Sequence, residues 1–323
     1  MMVPSTTATP TTTAGLPQRA EPVAPKPGGS WLAEFARLVG WEIFLAGRRR
    51  AMMITLGSLL LVGYLLTVLF QYGVYFSYAD YGSAPDSLTA ILTFPGALSV
   101  GGGYVSYVGV LLFVVLAGAL IGSEYSYSTL RLSLSRGVGR GRLLAAQVTA
   151  LAALALGLTA LMLTLSGLLG LLGSAAGVSQ APLSINGVTL TGEIIAYWLA
   201  LALNIFAYAL VALWIGTLSK SVAGAIAGPL VFIVVEVVAS EILGGIAVIT
   251  ERNTLLNAIG RLPEYLLGIN VNSLITWAGD GPYPLTSGPA SVSLPHALIV
   301  ASVYCALFIG ISYLALRNRD IVE

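Results

Sequence analysis

The side chains that most often perform chemistry in proteins are scarce in this sequence. Its 323 residues include one histidine, His296, and one cysteine, Cys305. His296 follows Pro295 at the start of an apolar run, which favours a position at a membrane interface, and Cys305 lies inside that run as a small apolar residue. A single distal histidine supports neither a metal cluster nor a Ser/His/Asp arrangement. The sequence therefore predicts no catalytic residue, no metal and no cofactor in this chain.

Two glycine-containing segments come close to nucleotide-binding motifs. Residues 216–221 read GTLSKS, with Ser219 where a phosphate-binding loop requires glycine, and they follow an apolar run instead of a strand. Residues 137–142 read GVGRGR and lack the third glycine of a dinucleotide-binding fingerprint. We therefore predict that this chain has no nucleotide-binding motif of its own and is not an enzyme.

One carboxylate, Glu236, lies deep within an apolar run. A charged side chain at that depth costs a few kcal/mol unless it faces other protein or a water-filled cavity. Two interpretations stay open. Glu236 contacts a transported species or water in an intramembrane pathway, or it makes a buried hydrogen bond to a neighbouring helix, where Ser and Thr side chains, Asn204 and Tyr208 are available partners.

Basic residues concentrate between two apolar runs, in residues 122–147. This segment contains Glu124 and four arginines, which are Arg131, Arg136, Arg140 and Arg142. Such a concentration of positive charge is typical of a cytoplasmic loop. Residues 125–134 can form about two to three helical turns lying at the membrane surface. We interpret this short helix as a docking element for a soluble partner.

The overall composition predicts that the chain lies in a membrane. Hydrophobic residues make up 57% of it and charged residues 9%, with a mean hydropathy of +0.89. A soluble domain carries roughly 25% charged residues. The net charge of +1 provides no positive field for nucleic acid. We therefore predict an all-α polytopic membrane protein that contacts the lipid bilayer and no nucleic acid.

Six apolar runs are each close to the ~20 residues that a transmembrane helix needs. They cover residues 51–72, about 103–121, 143–172, 193–218, 222–249 and 296–316. Small-residue pairs occur in the second run, at Gly118 and Gly122, and in the fifth, at Gly224 and Gly228. Such pairs let helices approach closely, either within one chain or between two chains.

The segments outside these runs have distinct compositions. Residues 1–30 are rich in Thr, Ala and Pro, which predicts a disordered cytoplasmic tail before one six-span domain at residues 31–323. Residues 31–50 have apolar side chains at helical spacing, which predicts an amphipathic interfacial helix; a plain extension of the first span is the alternative. Leucines at helical spacing around Pro263 predict two short outer-leaflet helices within residues 250–293.

The distribution of charge predicts the orientation in the cell membrane. Of 15 Lys and Arg residues, only Arg252 and Arg261 fall on the predicted outer side, and the other thirteen fall in inner loops, at inner helix ends or in the tail. Positive residues accumulate on the cytoplasmic side. With an even number of spans, both the N- and C-termini are expected to be cytoplasmic.

The loop after the second run resembles that of permease subunits in the type-2 ABC transporter family. That family typically shows Gly-x-Glu, then Gly-Thr, a leucine-rich segment and Ser-Arg before the third span. The matching residues here are Gly122-Ser-Glu124, Ser128-Thr129, residues 130–134 and Ser135-Arg136. The sequence departs from the pattern at Ser128, where glycine is usual, and at Leu134, where proline is usual. The order of elements from Trp31 to Asp320 is similar as well.

The resemblance implies a function and a set of partners. It implies the transmembrane permease subunit of an ATP-driven transporter, an exporter, coupled to a separate ABC ATPase subunit. Two permease subunits, identical or different, would form the pathway. The loop would be the coupling helix, and the residues implied in ATPase coupling are Glu124, Tyr125, Thr129, Arg131 and Arg136.

Two alternatives belong to other functional classes. The first is a secondary transporter or channel driven by an ion gradient. Such proteins often contain inverted repeats and broken helices near the midplane, whereas the two halves of this sequence show no convincing repeat. The second is a membrane scaffold with no transport role. The spans are rich in Leu, Ala, Val and Gly, which fits an apolar substrate as well as a route for a polar one.

Overall fold

The computed structural model describes residues 31–79, 82, 84–126, 139–178, 187–249, 261–283, 285–286 and 289–318. Within these residues the regular structure is entirely helical. The predicted tail, residues 1–30, lies outside the described residues. Residues 127–138 do so as well, and they include most of the predicted docking helix at residues 125–134.

The chain begins with two helices that are separated by one residue. Helix α1 is Trp31–Arg48 and helix α2 is Arg50–Ala79, with Arg49 outside both. The N-terminal helix is therefore a separate element, as predicted, and not a continuation of the first span. It packs against the third of the long helices, Arg140–Ala175.

The second span is built from consecutive helical segments. Helix α3, Asp86–Leu92, precedes it, and helix α4, Ala97–Tyr104, continues through a π-helical turn, Val105–Gly109, into helix α5, Val110–Ser126. Together these segments form one long apolar element from Ala97 to Glu124. The span begins earlier than predicted because the small residues before Gly103 join the same helix.

The remaining helices complete the structure. Helix α6 is Arg140–Ala175, α7 is Gly187–Ser219, α8 is Val222–Ile249, α9 is Leu267–Gly279 and α10 is Leu294–Arg317. A 3₁₀ turn, Leu262–Tyr265, precedes α9. Pro263 stands at the start of this turn, so the described part of the predicted pair of short helices is one 3₁₀ turn followed by one α-helix.

Six of the helical elements in the described residues are long and apolar enough to cross a membrane, namely α2, α4–α5, α6, α7, α8 and α10. Each contains one of the six predicted runs, so the six predicted runs are confirmed as long apolar helices. A helix rises about 1.5 Å per residue, so even the 24-residue element Leu294–Arg317 exceeds the roughly 30 Å hydrocarbon core. The chain therefore has the architecture of a multi-pass membrane protein.

Helix α7 lies at the centre of the bundle. It packs against α5, α6, α8, α9 and α10, and 72% of its most apolar stretch is buried, against 17% in α2 and in α8. Its residues 209–213 are completely inaccessible. The peripheral helices α2 and α8 leave their apolar side chains exposed at the surface of the chain, where a bilayer would solvate them.

The small-residue pairs of the second and fifth spans pack within the chain. A Cβ atom at Gly118 would collide with the carbonyl oxygen of Ala225, and one at Gly122 would lie 2.6 Å from Cα of Val222. On α8, Gly224 faces the Ser219 side chain and Gly228 faces Ile215. The two alternatives left open by the sequence are thus resolved for these four glycines, since each makes a close approach inside one chain.

Candidate functional site

The residues implied in ATPase coupling are only partly described. Glu124 lies near the C-terminal end of α5 and its contacts are defined, whereas Tyr125 is described only as part of that helix. Thr129, Arg131 and Arg136 lie outside the described residues. The structure therefore defines the base of the predicted docking loop, where α5 ends and α6 begins.

Glu124 is held by side chains from two other parts of the chain. Gln147 on α6 donates a hydrogen bond from Nε2 to Glu124 Oε2 at 2.5 Å. Glu42 on α1 is hydrogen-bonded to Glu124 through the two carboxyl groups. Glu124 thus connects the end of α5 to the beginning of α6 and to the N-terminal helix.

Arg49, the residue between α1 and α2, reinforces the same junction. Its Nη1 donates to the carbonyl oxygen of Ala119 at 2.8 Å, and its Nη2 donates to the hydroxyl of Ser123. Both acceptors are on α5, one turn apart. The guanidinium also lies close to the Glu124 carboxyl group.

A small cavity of about 90 Å³ opens beside these groups. Its polar wall is formed by Glu42, Arg49, Ser123, Glu124 and Gln147, and its apolar wall by Leu45, Leu120, Ile121, Ala150, Leu151 and Leu154. We refer to the five polar residues as the junction cluster. The sequence singled out Glu124 alone, because Glu42, Arg49 and Gln147 come from segments that meet Glu124 and its neighbour Ser123 only in the folded chain.

Glu236 makes the second polar centre, in the middle of α8. Its Oε2 accepts a hydrogen bond from the Tyr208 hydroxyl on α7 at 2.8 Å, and its Oε1 accepts one from the backbone N–H of Gly268 at 2.6 Å. The backbone N–H of Leu267 also donates a hydrogen bond to the Glu236 carboxyl group. Glu236 is 7% exposed. Tyr208 is among the partners that the sequence suggested, so the buried hydrogen bond to a neighbouring helix is present.

The position of Glu236 has a further consequence for α9, which begins at Leu267. The first N–H groups of a helix have no partner within the helix, and they favour a negative charge. Glu236 supplies an acceptor for these N–H groups. A Cβ atom at Gly268 would lie 2.7 Å from the Tyr208 hydroxyl oxygen and 3.5 Å from Glu236 Oε2, so only glycine fits there without displacement.

Helix α10 supports the segment before α9 from the other side. His296 Nε2 is hydrogen-bonded to the carbonyl oxygen of Glu264 at 2.9 Å, and its ring packs edge-on against Tyr265. Tyr304 donates to the carbonyl oxygen of Tyr265 at 3.1 Å. Asn270, fully buried, donates to the carbonyl oxygens of Glu264 and Leu266. The single histidine therefore has a structural role, in fixing the turn that leads into α9.

Metal ligation finds no support in the described residues, where no three His, Cys, Asp or Glu side chains are grouped closely enough to hold an ion. Cys305 lies partly buried in α10 as a free thiol. In the junction cluster and around Glu236, hydrogen-bonded carboxyl groups join neighbouring helices.

Comparison with known families adds one finding. The model of a family described as "Protein of unknown function (DUF2705)" matches residues 52–322, which is most of the chain. The chain belongs to this family. The DUF2705 match begins at the start of α2 and includes all six long helices, Glu124 and Glu236, but not Glu42 or Arg49. No curated protein and no solved structure matches the chain.

Proposed function

We propose that this protein is the transmembrane permease subunit of an ATP-driven ABC transporter of the type-2 class, an exporter that works with a separate ATP-binding subunit. The observation that carries the proposal is the loop between the second and third spans, with Gly122-Ser-Glu124, Ser128-Thr129 and Ser135-Arg136 in the order of that family. Six apolar helices on the described chain are consistent with the same class.

The contacts of Glu124 support a mechanical role for this loop. Docking of a soluble subunit on residues 125–136 would apply force to both ends of the loop. At its base, Gln147 on α6 donates to Glu124 on α5 at 2.5 Å, Glu42 connects α1 to Glu124, and Arg49, between α1 and α2, donates to α5. A displacement of the loop would therefore move these elements together. In this proposal Tyr125, Thr129, Arg131 and Arg136 contact the ATPase and Glu124 braces them.

The proposal includes an orientation. Residues 122–147 face the cytoplasm together with both termini, in the cell membrane. Helix α1 lies along the inner membrane surface as an amphipathic helix, which suits its exposed Trp41 and Phe44. The 3₁₀ turn and α9 lie in the outer leaflet. A second permease subunit, identical or different, completes the pathway.

Glu236 has two possible roles within this proposal. As a pathway residue, it would contact the transported species. Its three acceptor contacts, to Tyr208 and to the first N–H groups of α9, support the alternative in which it holds α9 against α7 and α8. Glu236→Gln, which keeps the size of the side chain and removes its titration, separates the two roles.

The docking role is tested by reversing charge in the loop. We expect Arg131→Glu combined with Arg136→Glu to reduce the amount of ATPase that co-purifies with the full-length chain by about tenfold or more, since a 1.4 kcal/mol loss of binding free energy is a factor of ten. Vanadate-sensitive transport into vesicles should fall in parallel. Lys220→Glu, in the short α7–α8 connection on the same predicted side, is the matched control and should have little effect.

Two outcomes would contradict the proposal. If both reversals leave ATPase binding and transport intact, the docking surface lies elsewhere. If transport is insensitive to vanadate and is abolished by an ionophore, the chain is an ion-gradient-driven transporter or channel. Proper insertion of each variant is checked by its thermal unfolding in detergent, so that loss of binding is not confused with loss of folding.

A further inference from the structure

The junction cluster contains two carboxyl groups that cannot both be ionised at low energetic cost. Glu42 on α1 and Glu124 on α5 are hydrogen-bonded to each other. Two carboxylates have no proton to place between them and repel one another, so a direct hydrogen bond between them requires that one is protonated. Other pairs of adjacent carboxyl groups in proteins share one proton for the same reason.

Among the described residues, the Arg49 guanidinium faces the pair, and it also donates to the carbonyl oxygen of Ala119 and the hydroxyl of Ser123 on α5. From α6 the pair is faced by Gln147, which is neutral and donates to Glu124. Farther along α1, Glu34 lies 3.9 Å from Arg142 of α6. The hydrogen bond between the two carboxyl groups therefore forms beside a guanidinium that is shared with α5.

The remainder of the cavity lining is apolar and includes Leu120, Leu151 and Leu154. Apolar walls reduce the solvation of a second negative charge, and they favour the neutral acid. The geometry therefore combines a carboxyl pair, a guanidinium shared with α5 and a poorly solvating cavity.

We propose that Glu42 and Glu124 form a proton-binding site, in which one shared proton clamps α1 onto the ends of α5 and α6. When the proton is bound, the hydrogen bond between the two carboxyl groups closes the junction. When it leaves, two like charges face each other across α1 and α5, and α1 is released. The site acts on the two helix ends that carry the loop of residues 127–138, but the inference holds whatever that loop binds.

The direction of the pH dependence follows from Glu42. Burial raises the pKa of the Glu42 carboxyl above its usual value of 4.5, and the hydrogen bond with Glu124 offsets part of the rise. In the unfolded chain this group titrates near its usual value. The stabilisation of the clamped state is therefore complete below that value and is lost as the pH rises through the raised pKa of the folded state.

The shared proton can be detected directly by infrared spectroscopy of the full-length chain in lipid bilayers. We expect the wild type to show a protonated-carboxyl C=O stretching band that persists above the pH at which exposed carboxyl groups ionise, and that disappears in one step on further increase. Glu42→Gln and Glu124→Gln should each remove the same band, because either change frees the remaining carboxyl from a charged neighbour. Glu34→Gln, on the same helix and half exposed, should retain it.

The opening of α1 is measured separately, in a chain that keeps both glutamates. Spin labels at exposed positions of α1 and α6, at Ala36 and Ala145 in a Cys305→Ala chain, should report a longer and broader distance as the pH is raised through the same step. Labels at Ala145 and Leu199, on α6 and α7, should report a constant distance.

The proposal fails if the infrared band survives in both Gln variants, because it would then belong to another acid such as Glu236. It also fails if the α1–α6 distance is unchanged across the titration. The distance measurement needs neither Gln variant, so it decides the question even if those variants do not fold.

Discussion

At the scale of single residues, Glu236 illustrates how a carboxylate is accommodated inside an apolar bundle. Three donors surround it, from Tyr208 and from the first N–H groups of α9. A buried acceptor with this many partners costs much less than an isolated charge, and removing it leaves the donors without a partner. The contacts therefore predict a clear difference between a conservative and an apolar replacement.

We expect Glu236→Gln to fold normally, because the amide oxygen still accepts one hydrogen bond. Glu236→Leu should lower the free energy of unfolding by roughly 1–3 kcal/mol, because it leaves the Gly268 N–H and the Tyr208 hydroxyl unpaired. Thermal unfolding in detergent measures both. Glu241 lies on the same helix and is exposed, so Glu241→Gln and Glu241→Leu are the matched controls and should change stability little.

Transport by the Gln variant separates the two roles of Glu236. If it binds the transported species or a proton in the pathway, Glu236→Gln should lower the transport rate while assembly and thermal stability persist. Normal transport in this variant would end the pathway hypothesis, and Glu236 would then be a residue that only positions α9.

At the scale of helices, the contact between α5 and α8 depends on two glycines. Gly118 and Gly122 bring the α5 backbone against Val222 and Ala225 with no space for a side chain. In a membrane, helix association is driven by close packing and not by exclusion of water, so such contacts carry much of the specificity. The first turn of α8 is fixed in this way at the end of α5 that also carries Glu124.

We expect Gly118→Leu to destabilise the bundle, because its side chain would overlap the backbone of Ala225 and force α5 and α8 apart. The cost should be about 1–3 kcal/mol, as for other overpacked sites, and the unfolding temperature should fall. Gly157→Leu on α6 is the control, since nothing lies within 4 Å of the space that its Cβ would occupy. Equal stability of the two variants would show that α5 and α8 can separate at no cost.

At the scale of the whole molecule, the distribution of charge predicts the orientation in the membrane. Arg49, Arg140, Arg142, Lys220 and Arg317 all lie at helix ends that the six-span arrangement brings to one side of the bundle. Positively charged ends of this kind stay on the cytoplasmic side during insertion. The same side carries the junction cluster, which makes the orientation decisive for both proposals.

We expect single cysteines at Ser87, Ser184 and Ser287 in a Cys305→Ala chain to react with a membrane-impermeant thiol reagent added outside intact cells. A cysteine at Ser221, in the α7–α8 connection, should react only after permeabilisation. Labelling is measured by a mass shift on gels. Reaction at Ser184 only after permeabilisation would overturn the six-span orientation.

The sequence by itself determined the number of long helices and the approximate ends of each. This was possible because a bilayer requires about 20 consecutive apolar residues, and because charged and glycine-rich segments interrupt such runs. The separate N-terminal helix was also predictable, since Arg48, Arg49 and Arg50 mark the transition into the first span. The sequence also identified Tyr208 as an available partner of Glu236.

Only the tertiary structure decided which helix is central, which faces meet and which distant residues form the junction cluster. The spans of α2, α7 and α8 are apolar on all sides, so no polar face distinguishes the buried helix α7 from its exposed neighbours. Soluble proteins mark the inward face of a helix with apolar residues, but in lipid that contrast is lost. The meeting of Glu42, Glu124 and Gln147 depends on how α1, α5 and α6 pack, and packing is decided by the shapes of side chains across helices, which a linear pattern does not contain.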